Sequence, residues 1–181
     1  MKSRFFLVFF LTFFSFGLFS QTDKVVLNLK WQKSPGFGSN QFALWIEDES
    51  GNYVKTLFAT KFTVKKGFKT RPDALFNWLK AFKIAEKNKK IIDSITNATP
   101  KSSKEFEIIW NLDNENGEKV APGKYIYKAE STLYFKEFSI FSGSINVGKE
   151  ENSSDASVEY SPPGTDKKNR GIISLSAKYL R

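Results

Sequence analysis

Beyond residue 20, apolar and polar positions alternate along most of the chain. Val25, Leu27, Leu29 and Trp31 share one phase, and Val26, Asn28 and Lys30 share the other. A period of two puts each set on one face of a β-strand. Phe42 to Ile46 and Tyr53 to Phe58 flank Glu47-Asp48-Glu49-Ser50-Gly51-Asn52, which predicts a hairpin with a polar, glycine-containing turn. Glu107 to Trp110 and Lys124 to Ala129 flank a second polar stretch. Asn114, Asn116-Gly117 and Pro122-Gly123 supply its turn chemistry, so the pattern predicts a second hairpin. Phe138 to Ile140, Ser144 to Val147, and the alternating Ile173, Leu175, Ala177 and Tyr179 add further strands.

One segment changes period. Leu75, Trp78, Leu79, Phe82 and Ala85 recur at helical spacing, with Asn77, Lys80, Lys83 and Glu86 between them. Pro72 suits a first helical turn, and Thr70 or Asp73 can cap it. The pattern predicts an amphipathic helix over about 72–87 whose apolar stripe packs on a sheet. Residues 149–169 are poor in apolar residues and contain Pro162-Pro163-Gly164. They read as a long mobile loop before the final strand. The expected fold is all-β: a single-domain antiparallel immunoglobulin-like β-sandwich over 21–181 with one inserted helix. Trp31, Trp45, Trp78 and Trp110 fall on core-facing phases of their elements.

The two hairpins share a pattern. Trp45-x-x-Asp48-x-x-Gly51-x-x-Val54 is echoed by Trp110-x-x-Asp113-x-x-x-Gly117-x-x-Val120. Turn chemistry and aromatic anchoring account for every matched position, so this is a shared structural device.

Residues 1–20 have a different character. Met1-Lys2-Ser3-Arg4 is a short positive stretch, Phe5 to Phe19 is apolar with few interruptions, and Ser20-Gln21 offers a small-residue cleavage point. This layout is that of a secretory signal peptide. The apolar run is short for a membrane span of ~20 residues. The mature chain is expected to be soluble and periplasmic or otherwise extracytoplasmic.

Composition narrows the chemistry. The 181 residues include no histidine and no cysteine. Imidazole acid–base catalysis, thiolate nucleophiles, disulfides and structural zinc sites are therefore excluded. Glu47-Asp48-Glu49 and Asp113-Asn114-Glu115 sit at turns where acids are expected, without the spacing of a calcium loop. No metal site and no catalytic residue is expected.

Charge is distributed unevenly. Residues 61–104 hold 12 basic and three acidic residues, a net +9, against −2 for the rest of the chain after residue 20. A solvated lysine-rich surface accounts for this. The sharper alternative is a patch of Lys65, Lys66, Lys69, Arg71, Lys89, Lys90 and Lys101 that faces an anionic partner. Nucleic acid does not fit an exported chain, and the patch lacks aromatics at a reading spacing.

Several stretches resemble the bacterial predicted periplasmic proteins of domain-of-unknown-function family 2271. They include Gly38-Ser39-Asn40-Gln41-Phe42-Ala43-Leu44-Trp45-Ile46-Glu47-Asp48, Arg71-Pro72-Asp73-Ala74-Leu75 and Asp93-Ser94-Ile95-Thr96-Asn97-Ala98-Thr99-Pro100-Lys101. Trp110-Asn111-Leu112-Asp113 and Val120-Ala121-Pro122-Gly123-Lys124-Tyr125 continue the likeness, which spans roughly residues 24–180. It implies an immunoglobulin-like sandwich of the kind found in flagellar hook-capping proteins. It implies no established activity. It does imply an envelope setting beside membrane proteins of the PepSY type.

Asp93-Ser94-Ile95-Thr96-Asn97-Ala98-Thr99 is also similar to the pattern of exported flavoproteins that take FMN on a threonine or serine hydroxyl. By that likeness Thr99 would carry the phosphate, with Asp93 and Thr96 as pattern residues and nearby lysines as counter-charges. The chain departs from the pattern at Asn97, where a glycine is expected. The alternative is a turn closed by local side-chain bonds. Two functions follow. The first is a non-enzymatic binding or accessory module for a membrane or envelope protein. The alternative is an electron carrier with covalent FMN at Thr99.

Overall fold

The computed structural model describes residues 23–33, 40–134, 136–165 and 171–181, without the side chains of Lys66 and Ala85. The expected signal segment, residues 1–20, lies outside the described residues.

Among the described residues, ten strands form two sheets. They are β1 (Lys24–Gln32), β2 (Phe42–Asp48), β3 (Tyr53–Thr60), β4 (Thr96–Asn97), β5 (Lys104–Trp110), β6 (Gly123–Tyr134), β7 (Glu137–Val147), β8 (Asn152–Asp155), β9 (Ser157–Ser161) and β10 (Gly171–Leu180). The smaller sheet has the order β5-β1-β10-β8, and the larger has the order β4-β3-β2-β6-β7-β9. Pairing is antiparallel except where two residues of β4 run parallel to β3. The expected all-β sandwich is the fold found.

The alternation in β1 does what its period implies. Val25, Leu27, Leu29 and Trp31 are buried between the sheets. Opposite them lie Phe42, Leu44 and Ile46 of β2, Tyr125, Tyr127 and Ala129 of β6, and Phe141, Ile145 and Val147 of β7. Phe42 stacks on Phe58 with ring centroids 4.7 Å apart, and Trp110 meets Tyr125 edge-on at 5.1 Å. All four tryptophans are buried. They divide between two cores, because β2 is covered on both faces. Ala43 and Trp45 point away from the sandwich interior into a second cluster with Ala59, Val64, Leu75, Trp78, Phe82 and Ile95. Burial on both faces explains why Phe42-Ala43-Leu44-Trp45-Ile46 reads as an unbroken apolar run.

The second cluster lies beneath a helical layer on the outer face of the larger sheet. Here the structure corrects the sequence reading. Instead of one helix over 72–87 there is a wide π-type turn at Thr63–Gly67, then α1 (Phe68–Thr70), α2 (Phe76–Phe82), a 3₁₀ turn (Ile84–Glu86) and α3 (Lys89–Ile95). Leu75 (φ 56°) and Lys83 (φ 51°) bracket α2 in the left-handed region. The start of α2 is set by the sheet, not by Pro72, Thr70 or Asp73. Leu75 N–H donates to Thr132 Oγ1 at 3.0 Å, and Trp78 N–H donates to Glu130 Oε2 at 2.9 Å.

Two further expectations are corrected. The segment from β5 to β6 is not a hairpin. β5 pairs with β1 in the smaller sheet, whereas β6 pairs with β2 and β7 in the larger. The shared Trp–Asp–Gly pattern therefore serves a hairpin in one place and a crossing between sheets in the other. Gly51 (φ 82°) and Gly117 (φ 85°) supply the left-handed residue each turn needs.

The loop expected over 149–169 holds β8 and β9, which lie in different sheets and are separated only by Ala156. Side-chain bonds hold this polar segment in place. Ser154 Oγ donates to Ser144 O (2.6 Å) and Ser157 Oγ to Ser142 O (3.1 Å). The Tyr127 hydroxyl donates to Ser154 O at 2.8 Å, so it ties the larger sheet to β8.

Tyr127 reaches β8 by crossing Gly143, its cross-strand partner. A Cβ at Gly143 would stand 2.2 Å from the Tyr127 hydroxyl oxygen. Because Tyr127 is fully buried, its ring has little room to move aside. Gly143→Ala is expected to lower unfolding stability by about 1–3 kcal/mol. Urea denaturation against wild type measures this, and an unchanged midpoint would show that the ring relocates at no cost.

Candidate partner-docking face

The charged stretch singled out in the sequence becomes one structural unit. Residues 61–100 supply the helical layer and β4, and the apolar side of this layer (Val64, Leu75, Trp78, Phe82, Ile95) fills the second cluster. Apart from half-buried Lys87, its described lysine side chains and Arg71 are exposed. Lys69, Arg71, Lys89, Lys90 and Lys101 are exposed. Lys65 is ion-paired to Asp93 of α3, and that hydrogen bond holds the Asp93 carboxyl below its usual range. The side chain of Lys66 lies outside the described residues.

The two ends of α3 face opposite ends of the sheet. Lys87, just before α3, forms an ion pair with Glu115 at 2.6 Å and lies 5.2 Å from the Tyr53 ring centroid. This places the start of α3, with Lys89 and Lys90, beside the β2–β3 turn. The chain leaving α3 joins β4, which pairs with Ala59 and Thr60 at the far end of β3. Asn88 caps α3 by accepting Ile91 N–H at 3.0 Å.

Two clefts flank the layer. One, of about 720 Å³, lies between α2, the β2–β3 turn and β6, and is lined by Glu47, Asn52, Asn77, Lys80, Lys83, Lys87 and Lys128 among others. The other, of about 520 Å³, lies between α3, β3 and the β5–β6 connection, and includes Lys55, Asn88, Lys90, Asp113 and Glu115. Their buried charges are mutually compensated. Glu47 accepts Trp45 Nε1–H at 2.8 Å and pairs with Lys128 at 2.7 Å. Lys55 pairs with Asp113 at 2.5 Å.

Burial pushes the Tyr53 hydroxyl far above the ordinary tyrosine range. That hydroxyl donates to Thr56 Oγ1 at 2.9 Å, and Thr56 Oγ1 also accepts Trp78 Nε1–H at 3.0 Å. These groups hold helix to sheet. Among the described residues, no cluster of three or more carboxylates is placed to hold a metal ion.

The segment compared with flavin-carrying proteins divides differently from the pattern. Asp93, Ser94 and Ile95 finish α3, and Thr96 and Asn97 form β4. Thr96 Oγ1 donates to Ile92 O at 2.5 Å, and Asn97 Nδ2 donates to Ile95 O at 3.1 Å. Asn97 is not in the left-handed region, so the glycine-like turn is absent there. Thr99 follows in an irregular, half-buried stretch.

An anchoring residue of this layer that sequence reasoning misses is Glu130. It is fully buried on β6 and accepts Trp78 N–H and Asn77 Nδ2–H (3.2 Å). Burial raises its carboxyl above the usual glutamate value of 4.5. Its one sequence signal is an acid inside an otherwise regular strand. No helix among the described residues is long and apolar enough to cross a membrane.

Comparison with family models matches residues 23–160 to "Predicted periplasmic protein (DUF2271)". No curated protein and no solved structure matches the chain.

Proposed function

Because the chain belongs to the DUF2271 family of predicted periplasmic proteins, we propose that it works in the envelope as a non-enzymatic accessory module. It docks on a membrane protein through the cationic side of its helical layer. The observation that carries this is the coincidence of charge and architecture. Residues 61–100, with ten basic residues and only three acids, fold as one layer on one side of the sandwich, with its apolar side already covered. Charge collected on one face steers association with an anionic partner and fixes its orientation. The compensated charges of the two clefts favour a scaffold over a reacting centre. The family resemblance points to partners of the PepSY type.

The test uses envelope membranes from the native host, with protein capture followed over a salt series. The double variant Lys89→Glu, Lys90→Glu is expected to capture its partner about tenfold less well and with a flatter salt dependence. Equal capture by both proteins would remove the electrostatic basis of the reading. Intact-mass measurement of the native protein tests the rival. An FMN-sized increment that is lost in Thr99→Ala and kept in Thr96→Ala would replace docking with electron carriage.

A further inference from the structure

We propose that one end of the sandwich rests directly on an anionic phospholipid surface through Phe62, Phe76 and Tyr134, with Lys61, Lys69 and Arg71 as its cationic rim. This takes only the envelope location from the reading above. It depends neither on a protein partner nor on Lys89 and Lys90.

The three rings are brought to one end by the topology. Phe42 at the start of β2 pairs with Ser131 near the end of β6, and Ala43 pairs with Ala59 near the end of β3. Bonds through Gln41 fasten these ends together: Thr132 N–H donates to Gln41 O at 3.0 Å, and Thr60 Oγ1 donates to Gln41 Oε1 at 2.6 Å. Phe62 follows β3 by two residues, and Tyr134 is the last residue of β6. Phe76 opens α2 beside them, because its neighbour Leu75 is bonded to Thr132.

These rings are 46%, 55% and 44% exposed, whereas the other large aromatics among the described residues are buried or half-buried. Phe62 is not a frayed side chain. Its ring lies against Gly67, where a Cβ would approach within 2.6 Å, so the turn holds it in place. Single exposed apolar residues need no explanation, but three aromatics grouped at one end do.

Charge selects the occupant. Lys61, Lys69 and Arg71 are exposed and close in sequence to Phe62 and Phe76, and Asp73 is the one acid between residues 61 and 76. A tyrosine ring such as Tyr134 favours the headgroup layer of a bilayer, and phenylalanines such as Phe62 and Phe76 bury apolar surface at the headgroup–acyl boundary. Lysine and arginine stems lie along apolar surface while their charged ends reach anionic headgroups, each strengthening binding about fivefold. The compartment implied by the family is bounded by such membranes.

The experiment is co-sedimentation of protein purified from the periplasmic fraction with vesicles. Phosphatidylglycerol–phosphatidylcholine vesicles are compared with pure phosphatidylcholine vesicles. Binding is expected only to the anionic vesicles and is expected to weaken with salt. It should fall at least tenfold in Phe62→Ser, Phe76→Ser, and about 25-fold or more in Lys69→Glu, Arg71→Glu. The variant Lys89→Glu, Lys90→Glu should bind within twofold of wild type. Circular dichroism melts establish that each variant is folded, and Phe62→Leu, Phe76→Leu should recover most of the binding.

Absence of binding to anionic vesicles overturns the proposal, as does binding unaffected by the first two variants. If vesicles fail to bind while membrane capture still depends on Lys89 and Lys90, this proposal falls and the docking reading stands. Vesicle binding that follows the expected pattern, with capture indifferent to Lys89 and Lys90, upholds the lipid contact and removes the docking reading.

Discussion

Truncating Trp78 to alanine is expected to destabilise the protein by about 3–5 kcal/mol, the range for removing a large aromatic from a closed core. The side chain is fully buried at the centre of the second cluster. It stacks on Phe82 with ring centroids 4.9 Å apart and planes at 11°, and its indole N–H is tied to Thr56. Much of what holds the helical layer to the sheet passes through this one residue. The loss should therefore be local first. Hydrogen exchange is expected to show protection falling across 63–97, while β1, β6 and β10 keep theirs. A uniform loss over both clusters would mean that the two cores unfold as a single cooperative unit. Trp78→Phe should retain more of the stability than Trp78→Ala, since it keeps a ring against Phe82 and loses the bond to Thr56 and part of the ring volume.

Removing the Glu130 carboxylate by Glu130→Ala should cost about 3 kcal/mol. Two donors, the Trp78 amide and the Asn77 side chain, then lose a charge-assisted acceptor inside the protein. The same residue gives a pH signature. Its carboxyl is raised in the fold by burial, so the folded state binds this proton more tightly than the unfolded state. Linkage then makes stability fall as pH rises from the unfolded value through the folded one. Measured against Glu130→Gln, wild type should be at its relative best at acid pH and lose ground as pH climbs above about 4.5. The comparison cancels other carboxylates such as half-buried Asp48 and exposed Asp93, whose lowered values work in the opposite direction. A stability difference that stays flat with pH would show that Glu130 ionises as freely in the fold as outside it.

Much of the sandwich is legible in the sequence because its strands bury one face. Alternation in β1 and β10 and the double-sided run in β2 translate directly into burial. The broken helix is not legible. Leu75 adopts its left-handed conformation against Thr132, 57 positions away, and no local propensity records that contact. β8 and β9 escape for a different reason. Asn152-Ser153-Ser154-Asp155 carries no apolar face; it is a strand through its pairing with β10, and bonds from its own side chains tie it to β7.

Charge counting locates the helical layer but does not tell which lysines pair internally. Lys87, half-buried against Glu115 and two rings, is indistinguishable in the sequence from exposed Lys89. Glu130 is hidden because an acid in a strand ordinarily faces solvent.

The pairing of β1 with β10 has a kinetic consequence. Lys24 lies opposite Leu180, and Asp23 bonds Tyr179 across 156 positions of chain. The smaller sheet has β1 at its interior, so it cannot close until residues near 180 are available. Contacts this distant in sequence form slowly, because loop-closure entropy opposes them until late. For a protein made on one side of a membrane and used on the other, delay is an advantage. The smaller sheet stays open while the chain emerges, and its earliest strand waits for one of the last segments to arrive.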